Sequence, residues 1–313
     1  MVDIKEIKNI ELAPFIKMSS SITAILAFIT AVVLLIILTV LELAAMVPQY
    51  GLFRIIAGFG VSFIIIYPII AFFITISVSF LTIVLYNTLS SKIGGIELEL
   101  DGSQVTGIPI VPFALIMASI EAIWAFIIGL FLAALIIPIS TLTSGIIPVL
   151  TNEFSTVFNT SSLSFPTGPT GVTAGTEGII LDVSLIIGLP IFVFVFGFIG
   201  QSIIAILYNY LATKVSRIKI EFTTIAGNLN ELKSISALPT ALAVATIFAI
   251  TGFINGLYLL VGYMMAGSAI SGIIYPIKDP VGNFVEYFIV VALIALIYNF
   301  MAPRIGGIKL MLK

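Results

Sequence analysis

Six stretches of this chain stay apolar long enough to cross about 30 Å of hydrocarbon as helices: approximately 21–46, 57–86, 111–139, 180–211, 238–266 and 281–302. A bilayer interior offers no water to exposed peptide groups, so a spanning segment must satisfy its own hydrogen bonds, and a helix does so residue by residue. The chain could not hide this surface in a soluble core. It is 60% hydrophobic and 9% charged, with a mean hydropathy of +1.27, whereas globular domains carry about 25% charged residues. A charged segment precedes the first run and more spans follow it, so it reads as a helix and not as a cleaved signal peptide.

The runs are related to one another. Tyr86-Asn87, Tyr208-Asn209 and Tyr298-Asn299 align without gaps, and Pro68, Pro190 and Pro280 then stand at one common offset upstream, each followed four residues later by Phe72, Phe194 or Phe284. A second anchor opens the odd-numbered runs: Ile10-x-x-x-Pro14, Ile108-x-x-x-Pro112 and Ile235-x-x-x-Pro239, with Phe28, Phe126 and Phe253 fourteen residues beyond each proline. All length variation falls between that Phe and the later proline. The expected fold class is therefore all-α integral membrane, with six transmembrane helices as three tandem parallel-repeat hairpins. The expected units are 1–100, 101–222 with a long connection at 140–180, and 223–313.

Charge gives the expected orientation. Lys5, Lys8, Lys17, Lys92, Lys214, Arg217, Lys219, Lys233, Arg304, Lys309 and Lys313 lie at the N-terminus or after runs two, four and six, and only Arg54 and Lys278 lie in the opposite connections. The bias toward cytoplasmic lysine and arginine then places both termini in the cytoplasm of a multi-pass cell-membrane protein.

The recurring ending suggests a physical role. Tyr86, Tyr208 and Tyr298 fall where each apolar run gives out, so each ring is expected in the acyl region with its hydroxyl among headgroups. Lys92, Lys214 and Arg304 follow six residues later, about 9 Å along a helix, within reach of anionic phosphates. Gly94-Gly95 and Gly306-Gly307 are expected to stop the helices through a left-handed residue, while the middle copy has Ser216-Arg217. Ile96-Glu97-Leu98-Glu99-Leu100 and its counterparts at 218–222 and 308–312 alternate with period two. They predict short cytoplasmic strands pairing with segments such as Ile4 to Leu12, against the alternative of amphipathic strips on the membrane surface. Asp279 before Pro280 predicts a helix N-cap. Pro68 and Pro190 have more apolar sequence upstream and should kink a longer helix or end a shorter one.

The Ile-x-x-x-Pro entry, the two-helix unit and a Tyr-Asn-x-x-Ala-x-x-x-Gly-Gly-Ile/Val-Glu ending resemble the transmembrane domain of an uncharacterised family of small bacterial and archaeal membrane proteins. Copy one matches through Tyr86, Asn87, Gly94, Gly95, Ile96 and Glu97, and copy three through Tyr298, Asn299, Ala302, Gly306, Gly307 and Ile308. The second copy departs at Ser216-Arg217 and the third has Lys309 in place of the glutamate. The resemblance covers most of the chain outside 140–180 and implies no established activity.

Chemistry is narrowly bounded. The chain has no cysteine and no histidine, which removes disulfides, thiolate and imidazole metal sites, and nucleophile–imidazole catalysis. No cofactor and no enzyme activity are expected. An aspartyl pair would need two central aspartates, yet Asp3, Asp101, Asp182 and Asp279 are terminal or near interfaces. Charged groups inside a span are costly, so Glu42, Glu121, Asp182 and Glu286 are weighed as functional candidates. Glu121 corresponds to Thr23 and Phe248 in the other copies, Glu286 to Ile74 and Phe196, and Glu42 to Ser140 and Gly267. No acidic ring recurs of the kind that lines a cation channel. Glu121 and Glu286 remain candidates for a path or a polar contact. Gln201 and Asn255 are expected to bridge helices, and Gly252-x-x-x-Gly256, Gly197 and Gly200 to allow close packing. Asn159-Thr160-Ser161 fits a glycosylation sequon in the connection.

These readings predict a non-enzymatic membrane scaffold or accessory subunit whose basic cytoplasmic ends contact lipid headgroups, a second copy or a membrane-protein partner. Nucleic acid is not an expected partner. The alternative is a channel or transporter with its path between the hairpins.

Overall fold

The computed structural model describes residues 3–43, 52–143 and 183–313. Within them, six helices are long and apolar enough to cross a membrane, as befits a multi-pass membrane protein. They are α1 (Leu12–Leu43), α2 (Ser62–Ile93), α3 (Ile110–Thr143), α4 (Ser184–Val215), α5 (Ala237–Met265) and α6 (Tyr275–Ile305). Two short helices, Leu52–Phe59 and Ala269–Gly272, precede α2 and α6. Residues 144–182, with Asp182 and the Asn159 triplet, lie outside the described residues.

Each odd-numbered helix starts two residues after an isoleucine, with proline as its third residue: Pro14, Pro112 and Pro239. The first-turn N–H groups of a helix have no intrahelical acceptor, so proline costs no hydrogen bond there while its fixed φ favours the helix. This is the physical content of Ile-x-x-x-Pro. It ends a strand and starts a helix within a few residues.

The second proline behaves otherwise than the Asp279 reading expects. Pro280 lies inside α6, which begins at Tyr275 with Pro276 in its first turn, so Asp279 is not a cap. The residues before it are themselves compatible with a helix, and the helix simply continues. Pro68 likewise lies inside α2. Pro190 follows a π-helical turn at Ser184–Gly188, an irregularity that relaxes the hydrogen-bond ladder where proline lacks its donor.

The helices pack as α1 with α2, α3 with α4, and α5 with α6. Small residues at matching positions make the close approach: Ala27 and Ala31 on α1, Ala125 and Gly129 on α3, Gly252 and Gly256 on α5, all buried. A Cβ on Gly252 would lie 2.8 Å from the carbonyl oxygen of Asp279, and one on Gly256 2.6 Å from that of Tyr275. Backbone-to-backbone packing of this kind holds helices together where water supplies no hydrophobic drive. Away from these seams the helices expose apolar side chains, among them Phe73, Phe131, Phe196 and Val285, as a lipid-facing surface requires.

Six strands gather at one end of the bundle: β1 (Asp3–Ile10), β2 (Ile96–Asp101), β3 (Gln104–Gly107), β4 (Ile220–Ala226), β5 (Leu229–Ile235) and β6 (Lys309–Leu312). The strand pairing expected locally is present, as in Ile7 opposite Ile96. It extends further, because all six strands join one antiparallel sheet in the order β3-β2-β1-β6-β5-β4. The two end strands also meet. Val105 N–H donates to Ile218 O at 2.9 Å and Ile220 N–H to Ser103 O at 2.8 Å, flanking a bridge between Gln104 and Lys219. The sheet thus returns on itself, and Gly102 and Gly227, both with positive φ, turn the two connecting hairpins.

Candidate functional site: three Tyr-Asn pairs beneath a charged sheet

The polar groups that recur in the sequence converge where helix ends meet the sheet. Asn87 accepts a hydrogen bond from Ile10 N–H at 2.9 Å through Oδ1 and donates from Nδ2 to Ile10 O at 2.9 Å. Asn209 does the same to Ile108 at 2.8 and 2.9 Å, and Asn299 to Ile235 at 2.8 and 2.7 Å. In each case the amide grips the isoleucine at the strand-to-helix junction: Ile10 and Ile235 end β1 and β5, and Ile108 directly follows β3. The backbone groups of that isoleucine have lost their sheet partner and not yet gained a helical one, and burial would leave them unsatisfied.

The adjacent tyrosine completes the joint. Tyr86 donates to Ile7 O at 2.6 Å and accepts from Ile96 N–H at 3.1 Å. Tyr208 bridges Val105 O and Ile218 N–H at 2.6 and 3.3 Å, and Tyr298 bridges Leu232 O and Ile308 N–H at 2.5 and 3.1 Å. These rings are 3%, 1% and 1% exposed. The expectation that Tyr86, Tyr208 and Tyr298 place their hydroxyls among lipid headgroups is therefore corrected. Each phenol points into the protein, where its apolar ring fills the core and its hydroxyl meets a buried carbonyl.

Each ring also joins two helix pairs. Tyr86 packs with Ile116 and Ile120 of α3, Tyr208 with Ala243 and Ile247 of α5, and Tyr298 with Met18 and Ile22 of α1. Contacts thus run from the second helix of one pair to the first helix of the next, and from the last pair back to α1.

The helix exits depend on glycine in two of three cases. Gly94 and Gly306 have φ of 91° and 84° with ψ of 155° and 145°, a region open essentially to glycine and distinct from the left-handed helical cap expected there. A Cβ on Gly95 would overlap Ile7 O, and one on Gly307 would overlap Leu232 O. The middle exit differs because Tyr208–Ala212 forms a π-helical turn. That wider turn shifts the following residues around the helix axis, and Ser216 leaves with φ −161°, ordinary extended backbone. Arg217 can then stand where the other exits need glycine.

One ring of polar side chains was not singled out by its sequence. Glu6 accepts from Gly95 N–H at 2.7 Å, Glu231 from Gly307 N–H at 2.5 Å, and Gln104 accepts from Arg217 at 3.3 Å. The signal is positional, since each residue directly precedes the one whose carbonyl the tyrosine binds. Burial pushes the Glu6 carboxyl upward, but the Gly95 N–H, Lys8 at 2.7 Å and the charge of Lys313 together hold it below the ordinary carboxylate value.

Lys92, Lys214 and Arg304 stand exposed in the last turns of α2, α4 and α6. Arg304 lies over the Phe300 ring at 3.7 Å and donates to Phe300 O. Deeper polar groups are paired individually. Gln201 donates to Glu121 at 2.6 Å between α4 and α3, and the carboxylate fills the notch left by Gly197. Asn255 donates to Asp279 at 3.2 Å between α5 and α6. Glu286 is exposed on α6. Ser20, Thr75, Ser119, Ser202 and Thr246 return their hydroxyls to carbonyls of their own helices. Among the described residues no group of acidic side chains is placed to hold a metal ion.

No protein-family model, no curated protein and no solved structure matches this chain.

Proposed function

We propose that the chain is an integral membrane scaffold, built from three copies of one helical hairpin whose strands join a single cytoplasmic sheet. The observation that carries this reading is the repetition of one bond set. Three Tyr-Asn pairs make the same contacts to three strand ends, whereas the deeper polar groups differ from pair to pair. A protein selected to move a solute needs polar groups organised along a path. Here the recurrent chemistry fixes helices to a platform, and the hydroxyls of Ser20, Thr75, Ser119, Ser202 and Thr246 are returned to their own backbones. The platform presents exposed Lys92, Lys214 and Arg304 beside a sheet that carries Glu97 and Glu99 on β2, Lys233 on β5 and Lys219 just before β4. These groups are suited to contact anionic headgroups and a charged partner surface.

Purification from native membranes in mild detergent, with cross-linking before extraction, tests the proposal. The expected result is a defined complex with a second copy or a membrane partner, and its dissociation when Lys92, Lys214 and Arg304 are neutralised together. A monomer that conducts ions in liposomes, with conduction removed by Glu121→Gln, would replace the scaffold with a channel.

A further inference from the structure

We propose that the cleft between α1 and α2 is a binding site for one anionic phospholipid, with its phosphate at Lys17 and an acyl chain running toward Phe72. The cleft holds about 410 Å³ and is lined by Ile16, Lys17, Ser21, Phe72 and Ile76, together with Ala13 and Ser20. That volume falls in the roughly 300–1,000 Å³ range of small-molecule sites. Its walls are apolar except at one end.

That end is cationic. Lys17 sits in the second turn of α1, near the sheet, and is exposed. Its ammonium donates to Ile305 O, at the end of α6, at 3.3 Å, and has no carboxylate partner among the described residues. Ser21 stands one turn along the same helix face, and its hydroxyl makes no hydrogen bond among the described residues. An ammonium and a free hydroxyl on one face provide two donors for a phosphate.

The opposite end is deep and aromatic. Ser19 and Ser79 touch at 2.9 Å, which sets the level of α1 against that of α2. Phe72 precedes Ser79 by two helical turns, so it lies about 10 Å further from the sheet. The cleft therefore has its charge near the headgroup region and its apolar wall in the acyl region, the polarity of a phospholipid. A similarly placed cleft between α5 and α6, lined by Thr246, Phe253 and Phe284, has Leu242 at the position aligned with Lys17. It offers an acyl groove without a head site. The inference rests on the chain lying in a bilayer with its sheet end at headgroups, and is independent of any protein partner.

Native mass spectrometry of the full chain in mild detergent, titrated with phosphatidylglycerol and with phosphatidylcholine of identical acyl chains, tests the site. One phosphatidylglycerol should be retained in preference by about five-fold, with the preference lost in Lys17→Gln and kept in Lys17→Arg. The triple neutralisation of Lys92, Lys214 and Arg304 should leave that single bound lipid in place. In a Trp124→Phe background, a Phe72→Trp reporter should be quenched by brominated acyl chains of phosphatidylglycerol, and less so with Lys17→Gln. Equal retention by Lys17→Gln, loss only in the triple variant, or displacement by glycerol 3-phosphate would each overturn the proposal. A misfolded Lys17→Gln would be recognised by its circular dichroism, and the Phe72→Trp quenching with Lys17 intact would then decide alone.

Discussion

The side-chain amide of Asn87 binds both backbone groups of Ile10, N–H and C=O, each at 2.9 Å. The two residues belong to opposite ends of a helix pair, so this one amide ties the exit of α2 to the entry of α1. Tyr86 adds the matching tie one residue earlier, between Ile7 and Ile96.

Asn87→Ala should therefore cost more than an ordinary surface change. It deletes two hydrogen bonds and leaves a partly buried N–H and C=O without partners, a loss of about 1–3 kcal/mol. Asn87→Asp keeps the acceptor but turns a carboxylate toward Ile10 O and should be worse. Thermal unfolding in detergent measures both, and hydrogen exchange at Ile10 should accelerate in each. Unchanged melting in Asn87→Ala, Asn209→Ala and Asn299→Ala would remove the latch as a source of stability.

Glu6 supplies an acid-dependent term. Its carboxyl is held below its ordinary value in the folded chain by Gly95 N–H and Lys8, against the opposing effect of burial. A lowered folded pKa stabilises above the unfolded value, and that contribution disappears as pH falls through the folded value. Stability should then decline as pH drops below about 4.5, the unperturbed value. Glu6→Gln should flatten that part of the profile. Melting temperatures of the two proteins between neutral and strongly acidic pH make the comparison, and parallel curves would exclude Glu6.

Much of this architecture was legible because membrane spans announce themselves by length. The Ile-x-x-x-Pro and Tyr-Asn spacings placed the helix entries and exits, and period two at Ile96–Leu100 foretold a strand. The inward turn of the tyrosines is not legible in sequence for a physical reason. A phenol at the end of an apolar run satisfies the same composition whether its hydroxyl meets a headgroup or a buried carbonyl, and only the fold brings Ile7 and Ile96 within reach of Tyr86. The joining of all strands into one sheet was likewise invisible, since it depends on contacts such as Ile7 with Leu312 that link opposite ends of the chain.

The glycine exits give a comparison internal to the molecule. Gly95→Ala and Gly307→Ala drive a methyl into a backbone carbonyl that cannot rotate away, and each should destabilise by about 1–3 kcal/mol or more. Arg217→Ala, at the aligned position, enters no such contact and should be tolerated. Denaturation of the three variants under one condition tests the difference, which an equal response would abolish.

Helix seams predict a similar contrast on α5. Gly252→Ala places Cβ 2.7 Å from the Asn283 amide nitrogen and 2.8 Å from Asp279 O, so α5 and α6 must separate. Gly262→Ala meets nothing within 4 Å and should raise stability, by up to about 1 kcal/mol, through helix propensity alone. Opposite shifts in melting temperature are expected. A drop for both would mean that the outer face of α5 is covered by something outside this chain.

The closure of the sheet is open to a covalent test, because the chain contains no cysteine of its own. Gln104 and Lys219 face each other between the flanking hydrogen bonds of Val105 with Ile218 and of Ile220 with Ser103. Those bonds make the two residues a non-hydrogen-bonded antiparallel pair, whose Cα atoms lie about 4.5 Å apart and whose side chains share one face. That separation falls inside the range a disulfide accepts, about 4.4–6.8 Å. Gln104→Cys with Lys219→Cys should therefore oxidise readily, shift on a non-reducing gel and raise the melting temperature. The constrained loop contains α3 and α4, and the chain-entropy estimate for a loop of that length is about 4–5 kcal/mol. Thr224 lies further along β4, past the end of its contact with β3, so Gln104→Cys with Thr224→Cys should remain reduced. Failure of the first pair under conditions that oxidise a Lys5→Cys, Leu98→Cys control, whose strands are paired directly, would open the ring and leave β3 and β4 as free edges.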